Sequence, residues 1–214
     1  MSKSRRCVKK HNRTRHSNNL DDIILIAVPE EAPAIMLWDN VFFTGIGKIN
    51  ATYTATHLLH HYKPKRVWNF GTAGGVTLSP GFYEVGSVVQ TDMWLPALGL
   101  TRGKTPQDLC PEIISLDSNG VICGTADEFV EDPENLAEYC DIVDMEAYAI
   151  TKAVWRYNLD KGTDISVYCW KYVSNKVAHD GGLDWQQNVD IGQELYKQKY
   201  KEFHGLIPNS SLLH

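Results

Sequence analysis

The chain has 214 residues, 43% hydrophobic and 22% charged, with a formal net charge of −5, enough length and apolar content for one large core. No apolar run approaches the roughly 18 to 20 residues of a membrane-spanning helix, and the N-terminus lacks the apolar core of a signal peptide, so a cytoplasmic protein with no membrane partner is expected. Five scattered cysteines, odd in number and never in a CxxC pair, argue against a disulfide framework or a zinc ribbon.

Charge divides the chain. Lys3, Arg5, Arg6, Lys9, Lys10, Arg13 and Arg15 precede the first acid, Asp21. With no aromatic residues interleaved, residues 1–21 read as a disordered, solvated tail rather than a nucleic-acid arm, and residues 22–214 as the folded domain.

From residue 22 onward, strand patterns alternate with helix patterns. IILIAV (23–28) is a buried strand followed by PEEAPA; VFFTG (41–45) is a second, and 48–62 carries a helical repeat with Ile49, Ala55, Leu58, Leu59 and Tyr62 inward. RVWNF (66–70) leads into GTAGG, read as a loop with free backbone amides. VGSVV (85–89) precedes a long Gly- and Pro-punctuated loop (91–108), in which Trp94, Leu95 and Leu98 suit either an interface or the core. DIVDM (141–145) runs into Glu146 and a helix over 146–157. ISVYCW (165–170) precedes KYVSNKVAHDGGLDW (171–185), a polar turn, and a last helix is expected over 184–203, capped by Asp184. Strands taking turns with helices imply an α/β domain around a mostly parallel sheet, where ligands bind beyond the carboxyl ends of strands.

The order AVPEEA, TGIGKINA, NFGTAGGV, CGTADEFV, VDMEAYAI and KYVSNKVAHD resembles the purine nucleoside phosphorylase superfamily, in its hydrolytic branch of methylthioadenosine/S-adenosylhomocysteine nucleosidases and related bacterial nucleosidases. The resemblance implies a three-layer α/β/α sandwich with a mixed sheet, a homodimer, a purine nucleoside as small-molecule substrate, and no cofactor or metal. Only IMLWDN (35–40) stands where typical relatives carry a longer helix and a hairpin, which implies a trimmed barrel-like side.

Cleaving an N-glycosidic bond requires a site that stabilises a cation-like sugar, activates water and neutralises the departing base. The resemblance makes Glu31 the general base, with Glu30 as fallback. Glu146 would accept from ribose hydroxyls and Met145 pack on the sugar. Thr72, Ala73 and Gly74 would line the floor, and Ile46 would lie near the sugar. Phe129 would stack on the base, and Val130 would offer its backbone to the base edge. Adenine-releasing relatives have Ser-Asp where this chain has Ser174-Asn175. An amide has no proton to lose but can accept from a protonated ring nitrogen and donate to a 6-oxo group, so the expectation is a purine nucleosidase preferring 6-oxopurines. Three alternatives stand beside it: an ordinary methylthioadenosine/S-adenosylhomocysteine nucleosidase, a phosphorylase, and a non-catalytic nucleoside-binding protein. Against the phosphorylase, Asn69 occupies a position where an arginine is common, and PEEA would repel phosphate; Arg66 and Arg102 are the candidate rescuers. His57, His60 and His61 share a helix without a carboxylate or cysteine beside them and read as a solvated face rather than a metal site.

Overall fold

The computed structural model describes residues 20–134, 136–177, 185 and 187–207; the basic tail and the expected caps and turns at Asp180 and Asp184 lie outside them. Among the described residues, eight strands and three long helices run in the order β1 (Asp22–Ile26), β2 (Val41–Phe43), α1 (Lys48–Tyr62), β3 (Arg66–Gly75), β4 (Gly81–Gln90), β5 (Ile113–Ser115), β6 (Val121–Thr125), β7 (Ile142–Asp144), α2 (Ala147–Lys161), β8 (Ser166–Lys176) and α3 (Gln193–Phe203).

The strands form one mixed sheet in the order β2-β1-β3-β7-β6-β4-β5, and β8 pairs with both β3 and β4. β8 runs parallel to β3 and antiparallel to β4. It therefore closes a ring of β3, β7, β6, β4 and β8. The connection 32–40 forms neither helix nor strand, and the ring is complete.

Strand alternation builds the layers. Ile23 and Leu25 of β1 point to one face and pack with Val67 against Ala51, Ala55, Leu58 and Leu59 of α1 and Ala149, Ile150 and Val154 of α2. Ile24 and Ile26 point the other way, with Trp68 and Phe70 of β3, against Tyr196 and Tyr200 of α3. All four β1 side chains are fully buried, and burying each stabilises the fold by about 1.5–3 kcal/mol relative to exposure. A one-residue slip of β1 would exchange both sets, so the alternation fixes register. The helices end where the backbone turns left-handed, α1 at Lys63 and α2 at Gly162.

Four sequence expectations need correction. GTAGG is not a loop: it lies within β3, where Gly74 and Gly75 pair with β7 and β8. Its glycines answer to crowding, since a Cβ on Gly75 would sit 2.1 Å from the Leu78 carbonyl oxygen. The polar Ser174-Asn175-Lys176 likewise continues β8 instead of forming a turn, because pairing of Asn175 and Lys176 with Gly74 and Gly75 of β3 supplies hydrogen bonds that the side-chain pattern does not reveal. β5 and β6, short and without clean alternation, were not anticipated. The last helix is not continuous: Trp185, Gln187 and Asn188 are helical, residues 189–192 form turns, and helix resumes over Gln193–Phe203.

Candidate active site

The carboxyl ends of β1, β3, β6, β7 and β8 converge on a cavity of about 140 Å³. The residues assigned to catalysis and substrate contact, apart from the fallback Glu30, line it: Glu31, Ile46, Thr72, Ala73, Gly74, Phe129, Val130, Met145, Glu146, Ser174 and Asn175. Glu31 is 3% exposed, in a 3-10 turn over Pro29–Glu31, whereas Glu30 faces solvent. That exposure removes Glu30 from contention.

Glu31 is held by one residue of β3. Its Oε1 accepts from the Thr72 amide at 2.8 Å and from Thr72 Oγ1 at 2.7 Å. Trp185 Nε1 in turn donates to Thr72 Oγ1 at 2.8 Å. With that oxygen accepting from the indole, the hydroxyl proton is committed to Glu31. Beneath this point the fully buried Tyr196 of α3 donates to the Gly71 carbonyl at 2.8 Å. A Cβ on Gly71 would lie 3.3 Å from both Glu31 Oε1 and Lys171 Nζ, so a larger residue would push these two side-chain ends by a few tenths of an ångström.

Glu146 sits at the N-cap of α2, 7% exposed, its Oε1 accepting from the Gly47 amide at 2.8 Å. Burial and the neighbouring Asp144 carboxylate push its pKa up to about 8, against the opposing pull of Lys171 and the Gly47 N–H. Asp144 itself is fully engaged. It accepts from Thr125 Oγ1 at 2.6 Å and from the Ala147 amide at 2.9 Å, and pairs with Lys171 Nζ at 2.8 Å. Lys171 is completely enclosed, yet Asp144 holds its pKa well above the ordinary lysine value despite burial, which acts to lower it. The ionisable floor thus comprises three carboxyl groups against one ammonium, and that ammonium is already paired.

On the opposite wall, a bulge in the β3–β8 register pairs Ala73 with Val173 and Gly74 with Asn175, leaving Ser174 without a partner in the register. Such a bulge re-aims the side chains that follow it. Ser174 Oγ donates to Asn175 Oδ1 at 2.7 Å, and Asn175 Nδ2 donates to the Lys176 carbonyl at 3.0 Å. Asn175 keeps a second N–H and an oxygen lone pair for a ligand. Phe129, 49% exposed, and Ile46, 47% exposed, form the open rim.

Neither arginine named as a phosphate rescuer reaches the cavity. Arg66 starts β3 at its far end and is paired with Asp22. Arg102 donates to the Thr91 carbonyl and lies between the rings of Trp94 and Tyr139. Asn69 is buried in the sheet, bonded to the Leu25 carbonyl. His57 stacks between Tyr53 and His61 along α1, and no group of three or more potential metal ligands occurs among the described residues. Cys110, Cys123, Cys140 and Cys169 are buried free thiols.

Sequence reasoning missed Asp144, Lys171 and Trp185. The first two had a signal: Asp144 in DIVDM and Lys171 in SVYCWKYV are lone charges in apolar strands, and buried charges need partners. Trp185 had none beyond its type.

The sequence model of the Phosphorylase superfamily matches residues 40–111. A 5′-methylthioadenosine/S-adenosylhomocysteine nucleosidase of Bacillus thuringiensis (strain Al Hakam) is 30% identical over 142 residues, 54% of this chain and 61% of that relative. The chain therefore matches less than two thirds of that relative's length. Among solved structures, the Helicobacter pylori nucleosidase of the same name superposes with a TM-score of 0.75 at 16% identity, covering 88% of this chain and 100% of that one. A mutant futalosine hydrolase of Helicobacter pylori strain 26695 superposes with a TM-score of 0.73 at 16% identity, covering 86% and 100%. At these identities the superpositions establish a shared α/β fold with a mixed sheet.

Proposed function

We propose that this chain, which carries the Phosphorylase-superfamily fold of the nucleosidase-like branch, hydrolyses the N-glycosidic bond of a purine nucleoside to free base and sugar, favouring 6-oxopurines. The observation that carries the reading is the convergence of Glu31, Glu146 and Asn175 on one cavity that no lysine or arginine lines among the described residues, the nearby buried Lys171 being paired with Asp144. Such a floor favours a sugar turning cationic and disfavours an anion. A phosphate brought within about 5 Å of Glu31 would meet a repulsion of about 3 kcal/mol per charge pair at an effective dielectric of 20. Water is the better acceptor.

In this mechanism Glu31, oriented by Thr72, takes a proton from water as the water attacks the anomeric carbon. Glu146 accepts from the ribose hydroxyls, and those bonds strengthen as the sugar becomes positive. Met145 packs on the sugar, Phe129 stacks on the base, and the Val130 backbone meets the base edge. Asn175 donates its free N–H to a 6-oxo group and accepts from the ring nitrogen, which takes a proton from solvent water as the glycosidic bond breaks, and Glu31 returns the proton it took to solvent; the Ser174 contact fixes which end of the amide faces the base. An adenine 6-amino group would oppose two donors, and a buried unpaired donor costs about 1–3 kcal/mol.

A second reading, methylthioadenosine/S-adenosylhomocysteine hydrolysis, is favoured by the names of the curated and structural relatives. The two are separated by assaying the purified chain on inosine, guanosine, adenosine and 5′-methylthioadenosine. Faster release from the first two supports the proposal; preference for 5′-methylthioadenosine supports the second reading. Binding without turnover of any of the four would mark a non-catalytic nucleoside-binding protein.

We also infer a cytoplasmic homodimer. No helix of the described residues is long and apolar enough to cross a membrane. Ile49 and Tyr53, one turn apart on α1, are 82% and 74% exposed, apolar surface that a second copy would cover. Sedimentation at micromolar concentration tests this, and a monomer would refute it.

A further inference from the structure

Three chain segments meet beside the cavity: the turn from β2 into α1, the end of β4 and the end of β6. Lys48, the first residue of α1, joins them. Its Nζ lies 2.5 and 2.6 Å from the two oxygens of Asp92 and 3.7 Å from Asp127 Oδ2. Its amide donates to Asp127 Oδ1 at 2.7 Å, and the Asp127 amide donates to Asp92 Oδ2 at 2.8 Å. The lysine side chain is only 14% exposed, so the pair is less screened than one in open solvent. Burial acts to raise the Asp92 carboxyl, but Lys48 and the Asp127 amide hold it below the ordinary value.

The residues on either side of this junction carry the site. Gly47, immediately before Lys48, gives its N–H to Glu146, and Ile46 lines the cavity. Glu128, Phe129 and Val130, immediately after Asp127, form the wall assigned to the base. Gly47 has a φ of 92° and its hypothetical Cβ would meet Asp127 Oδ1 at 3.1 Å, so the turn lies flush against Asp127. We propose that Lys48 is a positioning residue: through Asp92 and Asp127 it locks the base-side wall to the turn that holds Glu146, so that sugar and base recognition share one rigid frame.

The inference rests on the nucleosidase reading for its kinetic consequences but not for its structural test. That test follows the Glu146 carboxyl by ¹³C NMR through a pH titration of the full chain without ligand, its resonance assigned with Glu146→Gln. The groups facing Glu146 are Asp144 from β7, Lys171 from β8, Glu31 after β1 and the Gly47 N–H. Charge alone makes opposite predictions for two variants. Losing the Lys48 cation would raise the Glu146 midpoint, and losing the Asp92 anion would lower it. If the clamp acts by position, both Lys48→Met and Asp92→Ala free the turn, weaken the Gly47 bond and move the midpoint to higher pH, while Lys48→Arg leaves it near the wild-type value. A fall in Asp92→Ala, or no change in Lys48→Met, overturns the proposal. Should Lys48→Met fail to fold, Lys48→Gln carries the same expectation.

Kinetics supply the second readout. Both clamp-breaking variants should raise KM for the nucleoside about tenfold, with kcat at alkaline pH within about threefold. A wild-type chain that turns over no nucleoside would defeat the functional reading, and the titration would still decide the role of Lys48.

Discussion

Two buried carboxylates stand at opposite ends of β1, and the sequence treats them in opposite ways. Asp22, at the start, is surrounded by donors. Arg66 takes both its oxygens, Trp68 Nε1 donates at 3.4 Å and Tyr200 at 3.2 Å, while His204 Nε2 lies 3.1 Å away, out of line for a hydrogen bond. Arg66 outweighs burial there and holds the Asp22 carboxyl below its ordinary value. Glu31, just past the other end, has Thr72 and a long 3.4 Å contact from the Val28 amide, and its neighbour Glu146 has one backbone N–H. The first end is compensated and binds α3 to the sheet. The second is left short of positive charge, an arrangement that destabilises the empty site and suits a reaction that brings positive charge into it.

The comparison breaks most sharply at Glu31. Glu31→Gln keeps the shape and the Thr72 amide bond but removes the proton acceptor. Hydrolysis should fall about 10³-fold or more, a loss of about 4 kcal/mol in transition-state stabilisation, with the melting temperature unchanged or raised. Steady-state rates beside a thermal melt check both halves.

Asp22→Ala should do the reverse. It takes the partner from Arg66, whose side chain is 26% exposed, and leaves Trp68 Nε1 and the Tyr200 hydroxyl without their acceptor, which costs about 1–3 kcal/mol of stability in chemical denaturation. At a temperature where the variant is folded, its kcat should match wild type. A comparable loss of kcat would mean that the two ends of β1 are not independent.

Asn175→Asp sharpens the base-side account. A carboxyl group in that place can share a proton with the ring nitrogen and accept from a 6-amino group. The ratio of adenine to oxopurine release should rise about 30-fold, roughly 2 kcal/mol, measured by kcat/KM on adenosine and inosine. An unchanged ratio would remove Asn175 from specificity.

Glu146 links the site to pH. With its folded value raised to about 8, the folded chain retains a proton between pH 4.5 and 8 that the unfolded chain has lost, so this group's contribution to stability declines as pH rises through that window. Glu146→Gln removes the decline. It should be more stable than wild type at pH 9 by several kcal/mol, with the gap closing toward pH 5. In the wild type, kcat/KM should climb with pH up to about 8 as free Glu146 ionises; a profile flat from pH 6 to 9 would contradict the assignment. The smallest effect belongs to Trp185→Phe, which frees the Thr72 hydroxyl to rotate. It should lower kcat about threefold with KM little changed, and have no further effect in a Thr72→Val background.

Much of this was legible in the sequence because chemistry at strand ends keeps its order along the chain. PEEA, GTAGG, DMEA and SNK could be placed on one rim before any coordinates, since a mostly parallel sheet brings successive strand ends together. What was not legible had physical causes. GTAGG looks like a turn by composition, and only the close approach of Leu78, Val173 and Val177 shows why small residues continue a strand. The pairing of Asn175 with Gly74 of β3, which keeps it inside the sheet, is a long-range property that local propensity does not encode. Lys171 and Asp144 stood out as lone charges, but their 2.8 Å bond spans 27 positions from residue 144 to 171. Lys48 belonged to an apparent glycine turn until Asp92 and Asp127 appeared beside it.

The central claim is that the under-compensated end of the sheet uses water rather than phosphate. The most direct measurement is hypoxanthine release from inosine by the purified chain, in phosphate-free buffer and again with added inorganic phosphate, with the sugar product identified in each. The account predicts the same rate in both, with free ribose as the product. Release that begins only when phosphate is added, yielding ribose 1-phosphate, would contradict it.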